Sequence, residues 1–193
     1  MLRKFYQHIE MLIVSIDIGE KNLGYTFAKV SSLPFKLEDA EITAGTFDYA
    51  VKKDVVLGRV SALHKFFKEH IDDTVSVAIV ERQVTVNKVA MELMYAVTAI
   101  LFNYTDNIAM FDPKMKFTHI GQQYDTKNKA HKKLSIANMI AVLSHVEMPA
   151  LLATLDAAEK KDDIADSFNQ FIIYCADHKH LLIDDVRDLY RIL

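Results

Sequence analysis

One acid, Asp17, constrains this chain more than any other residue. Residues 12–18 read LIVSIDI, an apolar, β-branched run broken only by Ser15 and Asp17. Such a run reads as a central strand buried on both faces. A carboxylate placed in it is costly unless something compensates its charge. The end of a sheet strand, where α/β proteins bind their ligands, is the position where such a charge has a use.

The rest of the chain supplies the sheet that this strand requires. GEKNLG is a turn cluster, YTFAKV reads as a second strand and AEITAGTF (40–47) as a third, giving an antiparallel meander. Val56, Val60, Leu63 and Phe67 recur at helical spacing across DVVLGRVSALHKFFKEHI. TVSVAIVE (74–81) is a strand ending in Glu81. Val89, Leu93, Val97 and Ile100 mark a helix from Asn87 to about Phe102, whose Met91, Met94 and Tyr95 suit core packing or a subunit interface. NIAMFDP is a short strand stopped by Pro113, and TKNKAHKKLSIANMIAVLSH starts basic and becomes a helix. EMPALLATLDAAEK reads as an insertion or helical excursion, and LLIDDVRDLYRIL as a short closing helix. The order predicts an α/β fold whose mixed sheet has three antiparallel strands followed by parallel ones, flanked by helices.

At 193 residues and 51% hydrophobic, with 5 Gly and 3 Pro, the chain suits one domain rather than linked modules. That domain is expected over 11–193, with 1–10 an N-terminal extension and 179–193 a C-terminal one. MLRKFYQHIE lacks the apolar region of a secretory signal, and the apolar runs are shorter than a membrane span requires. The single cysteine, Cys175, forms no intramolecular disulfide and fits core packing. His64, His70, His145 and His178 read as surface residues, and no histidine has zinc spacing. Net charge is −3, yet between Asp112 and Lys133 six lysines (114, 116, 127, 129, 132, 133) face two aspartates. This local excess is a candidate anion-facing patch or a solvated loop.

A second acidic feature is KKDDIADSF (160–168), which opens an apolar helix. Ile164, Phe168, Phe171, Ile172 and Cys175 share one side, while Asp163 and Asp166 share the other. Acids in a first turn ordinarily serve as caps and complement the helix dipole. In the predicted sheet, however, Asp17 and Glu81 become neighbours, and a helix crossing the sheet brings Asp163 and Asp166 to them. Four such carboxylates converge only around a cation. Oxygen ligation without His or Cys selects Mg²⁺ or Mn²⁺. Two ions about 3.5–4 Å apart suit phosphodiester hydrolysis. Lys132 or Lys133, at a helix start, is placed to reach the scissile phosphate or the attacking water. Asp162 reads as a cap or supporting acid.

The strand and helix order, with an aspartate in SIDIGEKNLGYT, a glutamate in VAIVERQ and the D-x-x-D of DDIADSF, resembles the ribonuclease H-like superfamily and its RuvC-like branch. Across residues 11 to 178 the chain is similar to the poxvirus Holliday junction resolvases. The resemblance implies a homodimer that binds a four-way DNA junction and cuts two strands symmetrically with Mg²⁺ or Mn²⁺, resolving replicated concatemers in the cytoplasm. It implies Asp17, Glu81, Asp163 and Asp166 as metal ligands, and favours Lys133 over Lys132 as the basic residue. Lys21, Asn22, Gly24, Arg82 and Gln83 flank the proposed site, and with Lys127 and Lys129 they are candidates for phosphate contacts. Where bacterial relatives carry an aromatic residue that helps to open the junction, this chain has Val84, Thr85 and Val86.

Three other readings compete. A sugar kinase or actin-like ATPase also opens on an Asp-Gly phosphate turn, but needs a duplicated second domain that 193 residues do not house. A YqgF-like nuclease keeps the fold and processes RNA. A non-catalytic nucleic-acid-binding module has no use for four clustered acids, which cost stability without a metal.

Overall fold

The computed structural model describes residues 10–49, 56–71, 75–83, 87–123 and 130–191. Its elements are β1 (Met11–Ile18), β2 (Asn22–Val30), β3 (Glu41–Asp48), α1 (Val56–His70), β4 (Val75–Glu81), α2 (Lys88–Leu101), β5 (Ile108–Phe111), α3 (Met115–Thr118), α4 (Ala130–His145), α5 (Pro149–Ala157), α6 (Lys161–Asp177) and α7 (Val186–Leu189). The sheet order is β3-β2-β1-β4-β5. β2 pairs antiparallel with both β1 and β3, whereas β4 pairs parallel with β1 and β5. The mixed sheet expected from the sequence is therefore present, with Asp17's strand at its centre.

Side-chain alternation along β1 sorts the core into two halves. Leu12, Val14, Ile16 and Ile18 pack with Leu63, Phe66 and Phe67 of α1 and Leu93, Met94 and Val97 of α2. Ile13, on the other face, packs with Met139 and Val142 of α4, Leu151 and Leu155 of α5, and the apolar residues of α6. Asp17 and Glu81 have the parity of Ile13 and Ile79, so both belong to the α6 face. No described helix is long and apolar enough to cross a membrane.

Two elements differ from the sequence reading, and in a third, EMPALLATLDAAEK, the helical alternative holds. β2 starts at Asn22, three residues before Tyr25, because Asn22 and Gly24 continue the ladder opposite Asp48 and Thr46. The turn is thereby cut to a few residues, closed by the Gly19 N–H donating to Asn22 O at 2.9 Å. Tyr49 Oη and Arg59 Nη1 donate to the carbonyls of Gly19 and Glu20 and hold it in place. EMPALLATLDAAEK is a helix in its own right, with Pro149 in its first turn, where no N–H is required. α6 is not one-sided: Ser167, Asn169 and Gln170 are buried along with its apolar residues. It lies between the sheet and α4, so its polar side chains face protein on both sides and need partners there.

The chain after α6 is tied to the core. Phe35 exchanges backbone hydrogen bonds with the segment around Leu181, donating to His180 O at 2.8 Å and accepting from Leu182 N–H at 2.7 Å. Leu181 and Leu189 are buried in the α6-side core.

At Gly24 the helix and sheet touch backbone to backbone. A Cβ on Gly24 would lie 2.1 Å from the carbonyl oxygen of Asp163, so only glycine lets the first turn of α6 rest on β2. Gly24→Ala is expected to displace that turn and to lower stability by about 1–3 kcal/mol, the usual cost of overpacking. Urea denaturation measures it, and a loss below about 0.5 kcal/mol, the usual range for an unconstrained surface change, would show that the contact is not needed.

Candidate active site

Asp17 and Glu81 stand one residue beyond Ile16 and Val80, the last pair in the parallel register of β1 and β4. Their charges act on each other, so each carboxyl holds its proton more readily than an isolated acid does. Burial, followed by the charge of Glu81, pushes Asp17 well above the ordinary carboxylate range. Burial also raises Glu81, although Lys116 opposes it. Behind the pair, Gln170 Nε2 donates to Ile16 O at 3.2 Å and Ile79 O at 3.1 Å, clipping the two strands together. Its Oε1 is a buried acceptor without a partner.

The first turn of α6 brings the other two acids. Ser15 Oγ donates to Ser167 O at 2.8 Å, and Thr26 Oγ1 lies 3.0 Å from Ser167 Oγ, which itself donates to Ile164 O. These buried bonds fix the helix over β1 and β2. Asn22 Nδ2 then donates to Asp163 Oδ2 at 2.7 Å, and Ser135 Oγ of α4 donates to Asp166 Oδ1 at 2.6 Å. Burial raises the Asp163 carboxyl against the opposing effect of Asn22. The charges of Asp163 and Asp166 both reach Asp17. The helix has no side-chain cap at Lys160, and the partners of Asp163 and Asp166 come from other elements rather than from the helix's own N–H groups.

The protein cation among them is Lys116. It comes from the one-turn helix α3 after β5, and its Nζ lies 2.5 Å from Glu81 Oε2 and 3.3 Å from Asp166 Oδ1. Its side chain is only 5% exposed. Burial alone would lower its pKa, but Asp166, Glu81 and Asp17 outweigh that and raise it. Among the described residues no three acids, histidines or cysteines are arranged for joint ligation of one ion. The donor set nevertheless fits a hard divalent ion. Four carboxylates gather with one ammonium, and neither His nor Cys takes part.

Lys132 stands in the first turn of α4, the helix start expected from the sequence. It is exposed and pairs with Asp162, although its charge also interacts with Asp163 and Asp166. Asp162 is thereby lowered despite partial burial, which makes it a supporting acid, as read from the sequence. Lys133 is exposed. Lys21 and Arg82 are exposed at the rim, while Gln83 is half-buried, its N–H directed at Met94 Sδ. Asn22, read as a phosphate contact, is occupied by Asp163. Lys127, Lys129, Val84, Thr85 and Val86 lie outside the described residues.

Sequence reasoning missed Lys116, Ser135 and Gln170. Lys116 carried a weak signal, since it sits between Met115 and Phe117, although Lys114 also has apolar neighbours in Pro113 and Met115. Ser135 and Gln170 carried none, because their roles depend on which helix faces which strand.

The pH dependence of stability follows from these shifts. Raised carboxyl pKa values in the folded state contribute stability below the ordinary carboxylate range, and that contribution is lost as pH rises through the raised values. Removing Lys116 raises those values further. Without metal, Lys116→Met is therefore expected to cost about 3–5 kcal/mol, the scale for breaking a buried ion pair, at neutral pH and progressively less in acid. Chemical denaturation across pH, with chelator present, measures it; a loss independent of pH would show that Lys116 does not offset these acids.

The comparisons agree with this geometry at the level of fold. A structure of fowlpox virus resolvase with its substrate Holliday junction DNA has a TM-score of 0.65, 21% identity, and covers 87% of this chain and 99% of that one. Thermus thermophilus RuvC has a TM-score of 0.56 at 12% identity, covering 88% and 98%. The same bacterial protein in complex with a Holliday junction substrate has a TM-score of 0.53 at 13% identity, covering 88% and 97%. No curated protein is a significant match. Residues 11–178 match the family described as Poxvirus A22 protein, and the chain belongs to that family.

Proposed function

We propose that this chain is an endonuclease that resolves four-way DNA junctions by paired, symmetric cuts. The observation that carries this reading is the convergence of Asp17, Glu81, Asp163 and Asp166 at one strand end with Lys116 as their protein cation. The fold is shared with the fowlpox resolvase whose structure holds junction DNA. The four acids are assigned as ligands for Mg²⁺ or Mn²⁺, which supply Lewis acidity to the attacking water and the leaving oxygen of a phosphodiester.

The chain's own groups prepare the site. Asp17 and Glu81, whose carboxyl pKa values burial raises, would hold a cation only in their ionised forms, so occupancy would be coupled to proton release. Gln170 keeps the two strand ends in register, and Asn22 and Ser135 orient the helix acids. Lys116 keeps a positive charge and ammonium donors beside Glu81 and Asp166, where a phosphate oxygen would gather negative charge. Lys21, Arg82, Lys132 and Lys133 at the surface, with Gln83, Lys127 and Lys129, are assigned to the DNA backbone, whose phosphates supply most of the affinity in such complexes.

Paired cutting needs two centres, and each chain carries one acid cluster, so the active species is assigned as a homodimer. The side of α2 that carries Tyr95, 63% exposed, and ends at Phe102, 57% exposed, is the face assigned to the second copy. These aromatics follow the helical spacing of a packing stripe. The same reading assigns the protein to cytoplasmic sites of viral replication.

Purified protein with a labelled four-way junction and Mg²⁺ is expected to give paired, symmetric nicks, and structured RNA none. Cleavage confined to RNA would transfer the site to RNA processing. Asp17→Asn is expected to abolish cutting while leaving junction affinity within about twofold, since charge at the phosphates is untouched. Full activity in that variant would remove Asp17 from the centre. Ca²⁺, with its looser coordination, is expected to support binding but little cutting, and undiminished cutting in excess chelator would refute a metal requirement.

A further inference from the structure

The tail beyond residue 178 lies outside the stretch matched to the family, yet it connects to the acid cluster. Tyr190, just after α7, places its hydroxyl 3.4 Å from Asn169 Oδ1. Asn169 Nδ2 lies 2.9 Å from Ser135 O and 3.0 Å from Ser135 Oγ. Ser135 Oγ lies 2.6 Å from Asp166 Oδ1. Asn169 and Ser135 are both about 1% exposed, so the bonds between these two residues are shielded from water, while those at either end are part-buried.

Chemistry gives this chain of groups one direction. The amide N–H bonds of Asn169 are both spent on Ser135, so Ser135 Oγ accepts one of them and its single proton goes to Asp166. The Asn169 oxygen can only accept, so the phenol donates to it. Every dipole therefore points toward Asp166, and bonds aligned head to tail strengthen one another. Tyr190 to Asn169 is the longest and weakest of these links. With Lys116 also on Oδ1, that oxygen has two donors. Among the described residues Oδ2 accepts no hydrogen bond.

We infer that the C-terminal segment is a positioning element for the nuclease centre: Tyr190, acting through Asn169 and Ser135, holds Asp166 by Oδ1 and leaves Oδ2 turned to the cation. The inference rests on the metal-centre reading given above. Tyr190, Asn169 and Ser135 are positioning residues, none of which contacts the cation or the DNA.

The test is Mn²⁺ binding to the full chain without DNA, followed by the electron paramagnetic resonance of free Mn²⁺. Ser135→Ala is expected to weaken binding about tenfold, at the low end of the range for groups behind a metal ligand, and Tyr190→Phe about threefold. Tyr190→Phe keeps the ring, so its fold is preserved. Because the links act in series, the double variant is expected to bind no more weakly than Ser135→Ala alone. A structural effect would instead lower the melting temperature of the metal-free protein and leave Mn²⁺ affinity unchanged. Wild-type affinity in Tyr190→Phe, or losses that add in full in the double variant, would overturn the inference. Asp166→Asn separates the two levels: if it binds Mn²⁺ as wild type does, the metal-centre reading itself fails.

Discussion

The contact between Lys116 and the carboxylates of Glu81 and Asp166 is the interaction on which the strand-end architecture depends. Four acids brought to one point from β1, β4 and α6 repel one another, and partial burial strengthens that repulsion by weakening solvent screening. Two devices relieve it in the protein alone. The ammonium of Lys116 offsets one charge, and burial raises the carboxyl pKa values of Asp17 and Glu81, which favours their uncharged forms. Both are what a cation-binding centre needs while it waits for its ion, because each leaves the oxygens in place.

α6 is the element that makes this arrangement possible. It is apolar enough to sit in the core through Ile164, Phe168, Phe171 and Ile172, and polar enough to bond to three strands through Ser167 and Gln170. An all-apolar helix would be held less specifically, since apolar contacts tolerate sliding whereas buried hydrogen bonds are lost when the partners move. The backbone contact at Gly24 fixes its height over the sheet. Position and rotation of the helix are thus both set near its acidic end, where an error of an ångström would separate Asp163 and Asp166 from the strand acids.

How much of this was legible in the sequence depends on the range of the interactions. The strands, the main helices and the meeting of Asp17 with Glu81 follow from periodicity and from the parallel register of a strand pair, which are local or nearly local properties. The D-x-x-D spacing puts Asp163 and Asp166 on one helix edge whatever the tertiary structure. Lys116 was harder to read, because six lysines in one stretch look alike in composition, and only the fold of α3 turns one of them inward while Lys132 goes to Asp162. Gln170 and Asn169 were unreadable for the same reason. Their partners are backbone and side-chain groups distant in sequence, and a buried amide on a helix has no local signature. The tail was assigned no role from sequence, and its ties to Phe35 and Asn169 are likewise long-range.

The resting state of the site also shapes how it responds to a cation. On the metal-centre reading proposed above, an ion would displace protons from the raised carboxyls of Asp17 and Glu81, so apparent affinity would rise with pH while the metal-free fold loses stability. These two trends have one cause, the cost of holding ionised acids together, and they oppose each other in the total free energy. On that reading the cation would stabilise the fold most under the conditions where the fold alone is weakest. A chain built this way need not choose between a stable core and a charged centre, because the charge that strains the metal-free protein is the charge that would recruit the ion.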